Sequence, residues 1–366
     1  MGKKILLVEP DYYTRFPPLG LLKLASYHRE KGDEILKLVR GQVDPYEHTL
    51  YDRPDLIYVT SLFTYSWRNV HEAVQYYKDR YPNVKLWLGG IYASIWPEHA
   101  KTSGADFVHE GIFHEVEDYL PAYDLVDDWW NGSILFSSRG CIRNCHYCAV
   151  PKIEGKHSRV LHTIRDLIYP KHSRVILFDN NILGAPNWRE ILDELYEIGL
   201  KVDFNQGLDA RLINKENAEK LAKLKIPEIR IACDDKFMIP HIERAIKYLN
   251  DAGITSKRLF AYTLFNRTDT PQDFFERIRQ LLNWGILSYP MQYQPVNSLE
   301  KNKFVSPNWS KTEIEMVNIA RRVMGYGGAL PSHDGLIDKF NKAKNFKQAF
   351  EVYGKEETKE ETVFVK

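Results

Sequence analysis

Residues 139 to 148 read RGCIRNCHYC, and three of the chain's four cysteines, Cys141, Cys145 and Cys148, stand there in the spacing C-x3-C-x2-C. Three thiolates on one tight loop can hold three iron corners of a cubane [4Fe–4S] cluster, where four would fill it. The missing fourth leaves one iron without a protein ligand, and an open coordination position is what a catalytic metal centre keeps. Arg139 and Arg143 stand close enough in sequence to offset thiolate and sulfide charge, and the aromatic Tyr147 directly precedes the last cysteine. The competing reading is a zinc knuckle with His146 or His157 as fourth ligand. Zinc loops usually come as two paired C-x2-C hooks, and only one is present. Cys233, in IRIACDD, reads as a small buried strand residue, too isolated to anchor a second cluster.

Around this loop the chain alternates strand and helix patterns. ILFSSRG is a strand, and the cysteines follow its C-terminal end. RVILFDN, KVDFNQG, IRIACDD, RLFAYTLF and LSYPMQYQPV make it six strands, with helical stretches such as NWREILDELYEIG and TPQDFFERIRQLLNWG between them. This is the pattern of a partial or full βα barrel, whose chemistry gathers at the strand C-termini. Before PAYDLVDDWWNGS, which reads as a linker, the apolar runs KKILLVEP, EILKLVRG, LIYVTSLFT, VKLWLGG and ADFVHEG alternate with helices. A parallel sheet covered on both faces, a Rossmann-like half, is expected there.

The cysteine loop, at the end of a strand that opens such a barrel, resembles the C-x3-C-x-aromatic-C signature of the radical S-adenosylmethionine (radical SAM) superfamily. The resemblance covers roughly residues 134 to 296. It implies that Cys141, Cys145 and Cys148 ligate a [4Fe–4S] cluster and that the unligated iron chelates the amino and carboxylate groups of SAM. An electron then cleaves the sulfonium, giving a 5′-deoxyadenosyl radical that abstracts hydrogen. Tyr147 is implied near the adenine. Family members often bind the SAM amino group with Gly-Gly-Glu after the second barrel strand; here Asp179, Asn180 and Asn181 stand in that place, with helix N-capping as their alternative role. Gln206, Asp209 and Arg211 at the third strand end, and Asp234 and Asp235 after the fourth, are further SAM-binding candidates, the last two also eligible as ordinary caps. Tyr262, Phe265, Tyr289 and Gln292 line the remaining mouth or belong to the core. An electron donor such as ferredoxin or flavodoxin is implied. No residue is singled out as catalytic.

PPLGLLKLASY, together with YVTSLFT, LGGIYASIWPEHA and GADFVHEG, resembles the cobalamin-binding-type domain that precedes the barrel in class B radical SAM enzymes, over most of residues 3 to 125. Ligand contacts are implied at the strand ends of a doubly wound sheet: Pro18, Leu19, Gly20, Thr60, Ser61, Thr64, Gly89, Gly90, Ile91, Glu110 and Gly111. The D-x-H-x-x-G motif that supplies an axial histidine to cobalt is missing, since the first strand ends in EPDYYTRF. Either cobalamin binds without that ligand, or the fold serves as a substrate-docking module. A nicotinamide site is excluded by the lack of G-x-G-x-x-G after the first strand. The extra cysteines of the methylthiotransferase branch are also absent from this half.

The expected architecture is therefore α/β: a Rossmann-like, cobalamin-binding-type domain over 1–125, a partial (β/α)6 TIM-type radical SAM barrel over 126–296, and a helical extension with a charged tail over 297–366. TEIEMVNIARRVM is an amphipathic helix with Thr312 as expected cap, and GYGGALP is a connector or a lid. Lys301, Lys303, Lys311, Arg321 and Arg322 form a solvated basic surface or, alternatively, a docking patch for an anionic substrate such as tRNA. The formal net charge of +1 excludes a global field for nucleic acid. With no apolar run near the ~20 residues of a bilayer span, and clustered cysteines without secretory features, a cytoplasmic protein with no membrane contact is expected. The expected reaction is cobalamin-dependent C-methylation, the alternatives being cobalamin-free radical chemistry and a zinc- or cluster-bearing binding protein; neither substrate nor oligomeric state is legible.

Overall fold

The first strand, β1 (Lys4–Glu9), is covered on both faces, with Ile5, Leu6, Leu7 and Val8 fully buried. That is the environment a continuous apolar run demands. The computed structural model describes residues 2–43, 53–156 and 159–352 and groups the chain in two compact units. The first runs to residue 230 and includes 247–254 and 294–304; the second comprises 231–246, 255–293 and the chain from 305 onward. Among the described residues no helix is long and apolar enough to cross a membrane.

In the first unit β1 is followed by α1 (Leu19–Glu30), β2 (Glu34–Arg40), β3 (Leu56–Ser61), α2 (Trp67–Arg80), β4 (Lys85–Gly90), the short helices α3 (Ile91–Ile95) and α4 (Pro97–Lys101), and β5 (Phe107–Val108). Helix α1 stops because Gly32 takes φ of 81°, a left-handed turn that closes the last carbonyls. The five strands form one sheet in the order β2-β1-β3-β4-β5, each ladder parallel. Its order reverses at β1, so the crevice between the C-terminal ends of β1 and β3 is the switch point where such sheets bind ligands.

The stretch expected as a linker is built into the core. Tyr123 and Trp130 are buried with Leu22, Ile134 and Ile176, and the Ile134 amide donates to the Tyr123 hydroxyl at 2.6 Å. ILFSSRG is not one strand: it divides into β6 (Ser133–Leu135) and β7 (Ser138–Arg139). The cause is Asp179, whose carboxylate accepts the Ser137 and Ser138 amides at 2.9 and 2.6 Å and so turns them out of the ladder. After α5 (Val150–Ile153), β8 (Arg159–Val160) pairs antiparallel with β7 and closes the stem of the cysteine loop. β9 (Arg174–Leu177), α6 (Trp188–Ile198), β10 (Lys201–Phe204) and α7 (Lys215–Ala222) follow, and β10-β9-β6 is a parallel three-stranded sheet.

β11 (Ile229–Ala232) carries the chain into the second unit, followed by α8 (Ile239–Asp251), β12 (Leu259–Phe265), α9 (Pro271–Asn283), β13 (Leu287–Gln292), α10 (Lys311–Val323), α11 (Asp334–Lys342) and α12 (Phe346–Phe350). All six strands expected of the barrel are thus present, but they hydrogen-bond as two sheets, β10-β9-β6 and β11-β12-β13, rather than as one. The second unit has its own core of Phe265, Phe274, Phe275, Trp309, Phe340 and Phe350. Phe265 therefore belongs to that core and not to a mouth. The cap of α10 is Ser310, in a reciprocal capping box with Glu313, instead of Thr312. GYGGALP turns tightly and returns to bridge Ser288 through Leu330.

Candidate functional site

The cysteine loop springs from the β7–β8 stem. Its base is pinned by the Cys141 amide, which donates to the Gly155 carbonyl at 3.1 Å, and by the Gly140 amide, which donates to Glu154 Oε2 at 2.9 Å. Gly140 has φ of 86°, a conformation that turns the chain into the loop without side-chain penalty. A turn follows in which the Cys148 amide donates to the Cys145 carbonyl at 3.0 Å. The three cysteines are free thiols and half-buried, and the Arg143 amide donates to Cys141 Sγ at 3.3 Å. Among the described residues no three His, Cys, Asp or Glu side chains gather about one point as a single metal ion requires. His146 packs edge-on against Tyr147, and His157, the other candidate zinc ligand, lies outside the described residues.

Beside the loop, residues far apart in sequence converge at the C-terminal ends of β9 and β10. Asp209 accepts from Arg143 Nε at 2.9 Å, from Arg211 Nε at 2.7 Å and from Asn181 Nδ2 at 3.2 Å. Burial alone would raise the Asp209 carboxyl, but Arg211 and Arg143 outweigh it and hold it below the usual carboxylate range. Burial works against the Arg211 cation, which Asp209 and, more weakly, Cys145 and Tyr147 stabilise. Asn181 is buried and its Oδ1, itself enclosed, has no hydrogen-bond partner. Asp179 lies deeper, fully enclosed, and binds the hydroxyls of Ser137 and Ser138 at 2.6 and 2.8 Å besides their amides; burial pushes its carboxyl up while these bonds pull it down. It is neither a cap nor open to a ligand here. Asn180 donates to Glu154 at 2.8 Å. Gln206 is exposed and reaches only Asn205. Asp234 and Asp235 follow β11 in the second unit, where Asp235 caps a turn through the Phe237 amide. There Cys233 is fully buried, its thiol pushed up to about 12 by burial.

Arg139 is not a counter-charge for the thiolates, as its position suggests. Its guanidinium forms a fork with Glu117, reaches Glu154 at 3.2 Å and lies over the Phe136 ring. Pairing across 22 residues leaves no local trace in the sequence.

The second polar edge lies at the C-terminal ends of β3 and β4. The Ser61 hydroxyl donates to the Gly89 carbonyl at 2.7 Å and accepts the Ala93 amide at 3.1 Å. Ser94 repeats the device one turn on, donating to the Gly90 carbonyl at 2.7 Å and accepting the Gly111 amide at 2.9 Å. Gly90, with φ of 103°, sits where a Cβ would collide with the Ser61 backbone. Residues 8–123 match the family model of the B12 binding domain. No curated protein matches the chain. The match starts inside β1, spans the five-stranded sheet and ends before β6. It supports cobalamin as the ligand class of this domain, and the candidate contacts all stand on the matched edge. Pro18 precedes α1, Leu19 and Gly20 open it with free space over Gly20, Thr60 and Ser61 end β3, Gly89 and Gly90 end β4, Ile91 opens α3, and Glu110 and Gly111 follow β5.

Three features of the B12-binding-type domain went unread in the sequence. The segment 294–304 returns to this unit, and the Thr64 hydroxyl donates to the Val296 and Ser298 carbonyls at 3.0 and 2.6 Å. The Tyr92 hydroxyl lies 2.9 Å from His71 Nε2 and 2.5 Å from His99 Nδ1, tying α2, α3 and α4 together. Glu9, at the switch point, is 9% exposed and burial raises its carboxyl to about 7 against the pull of Arg40. A depression of 390 Å³ lined by Asn131, Arg174, Lys201, Asp203 and Arg230 opens at the N-terminal ends of β9 and β10, away from both edges.

Proposed function

We propose that the chain is a cobalamin-dependent radical SAM enzyme that methylates a carbon centre, cytoplasmic and served by a reduced ferredoxin or flavodoxin. The carrying observation is that Arg143, from the loop that bears the three free thiols, meets Asn181, Asp209 and Arg211 at the ends of adjacent parallel strands, in the same unit as the B12-binding-type sheet. When bound, the cluster would supply the electron that opens the SAM sulfonium and cobalamin the methyl group to be delivered.

The donor set suits these groups. Thiolates of a cubane attach to different irons, so their sulfurs need not meet at one point. Arg211, held by Asp209, can receive a carboxylate or ribose oxygen of SAM, and the unpartnered Asn181 Oδ1, enclosed in this structure, would accept from the ammonium once uncovered. Tyr147 offers a face to the adenine. Asp179 and Asn180 act beneath, fixing the strand end, while Gln206 remains a candidate contact; Asp234 and Asp235 lie in the second unit and stay SAM-binding candidates on the resemblance alone. On the other edge, glycines and short serines keep the backbone low enough for a macrocycle to approach. The three-domain division at 125 and 296, with the barrel between, accompanies this reading.

Anaerobic reconstitution tests it. Wild-type protein is expected to take up four irons per chain, to release 5′-deoxyadenosine from SAM under reductant, and to retain cobalt after incubation with hydroxocobalamin. Cys145→Ala should abolish 5′-deoxyadenosine release. Stoichiometric zinc without iron would overturn the proposal; iron and SAM cleavage without cobalt would leave radical chemistry and remove the methyl transfer.

A further inference from the structure

The loop's base is connected to the B12-binding-type domain by a buried ionic chain that the reaction itself does not require. Lys23 of α1 is 2% exposed and donates to the Glu117 carbonyl at 2.7 Å, with its ammonium 3.8 Å from Glu117 Oε2. Glu117 takes the Arg139 fork at 2.8 and 2.9 Å. Arg139 passes to Glu154 Oε1, and Glu154 Oε2 accepts both the Gly140 amide and Asn180 Nδ2. Lys23 and Glu117 fall within the matched domain; Arg139 and Glu154 bracket the three cysteines. A bidentate fork fixes orientation as well as distance, which a lysine or a single hydrogen bond does not.

We propose that Glu117 and Glu154, acting through Arg139, are positioning residues that set the cysteine loop's base against the B12-binding-type sheet. This rests on the reading of the loop as a cluster site. The thiols would hold the cluster, and the ionic chain holds the base of their loop in place. Breaking it would leave iron uptake possible but shift the loop relative to Asn181 and Arg211. The strand-end contact through Asn180 makes the same carboxylate responsible for both the loop and the floor beside it.

Glu154→Ala, Glu154→Gln and Glu117→Gln in the full chain test this by two readouts. Amide exchange across 140–155 should quicken about tenfold in Glu154→Ala, and less in Glu154→Gln, while β3 and β4 peptides stay unchanged. In reconstituted protein, iron content should persist while the change that SAM induces in the reduced cluster's electron paramagnetic resonance spectrum is lost, Glu154→Gln restoring part of it. Should Glu117→Gln fail to fold, the Glu154 pair decides. Loop exchange and spectral response equal to wild type in Glu154→Ala overturn the proposal. A wild-type protein that takes up no iron overturns the cluster reading instead, and the exchange data on that protein then decide the ionic chain by themselves.

Discussion

At the C-terminal edge of β3 and β4 the polar contacts are neutral: Ser61 and Ser94 hydroxyls bridge backbone groups, and glycines stand where side chains would intrude. At the ends of β9 and β10 they are charged: Asp209 against Arg143 and Arg211, Glu154 against Arg139, and Asp179 buried among serines. A large, mostly uncharged macrocycle needs room and close backbone approach, which small residues supply without desolvation cost. A charged nucleoside and an anionic cluster need fixed charges of both signs, and those must be paired in advance because an unpaired buried charge is costly. The two edges belong to one unit, yet each follows the chemistry of the ligand proposed for it.

Asp179→Ala is the sharpest way to break the charged edge. It strands the Ser137 and Ser138 amides, both buried, and frees the bend between β6 and β7. Two buried donors left without acceptors correspond to a loss of about 4 kcal/mol in chemical denaturation, and cysteine alkylation should quicken because the stem loosens. If the neutral and charged edges were built alike, removing Ser94's hydroxyl would cost as much; Ser94→Ala is expected to cost only about 1–2 kcal/mol.

The pH dependence separates two groups within the B12-binding-type domain. Burial raises Glu9 from 4.5 to about 7, so the fold holds its proton more tightly than the unfolded chain, and this term weakens the protein as pH rises from about 4.5 to about 7. Burial and the neighbouring His99 lower His71 from 6.5 to about 4, so the unfolded chain takes the proton first and stability is lost as pH falls from about 6.5 towards 4. In the shared window the two oppose each other. Denaturation midpoints between pH 4.5 and 6.5 should therefore tilt upward with pH in Glu9→Gln and downward in His71→Phe, relative to wild type. Unchanged slopes in both variants would refute the assignment.

Gly90→Ala follows in size. The positive φ and the collision with Ser61 displace β4 from β3, at roughly 1–3 kcal/mol, and hydroxocobalamin retention should fall in the protein that still folds. Gly20→Ala, over open space, should leave stability nearly unchanged, so that any loss of cobalamin there reports contact and not strain.

Local pattern carried much of this. Five apolar runs became the five strands of the matched sheet, and the spacing of Cys141, Cys145 and Cys148 marked the loop. Asn181, Asp209 and Arg211 stand together because each follows a strand end, and parallel strands bring their ends together. What failed is what depends on distant partners. Asp179 reads in the sequence as a SAM-ammonium acceptor or a helix cap, because the partners it has in the structure lie 41 and 42 residues away, in Ser138 and Ser137. Arg139 looked like a counter-charge because Glu117 and Glu154 are not its neighbours in sequence. The break in ILFSSRG follows from Asp179 and was invisible for the same reason. Ser310 was displaced by Thr312 through a boundary error of two residues, although the S-x-x-E of its capping box was on view.

The smallest effect concerns the strap over Thr64. Residues 294–304 belong to the first unit although the chain before and after them belongs to the second, and the buried Thr64 hydroxyl is shared by two of their carbonyls. Their own fold is closed by Asn302, whose amide donates to Gln294 Oε1 at 2.7 Å, and by Lys301 over the Tyr65 ring. Thr64→Val keeps the shape and removes the donor, so it should cost only about 1 kcal/mol globally. Locally the loss matters more, since this one hydroxyl supplies two of the segment's bonds. Trypsin should cut after Lys301 and Lys303 severalfold faster, with other sites unaffected. A cleavage pattern identical to wild type would mean that the strap is held by its ring contact and internal bonds, and that Thr64 serves the sheet edge alone.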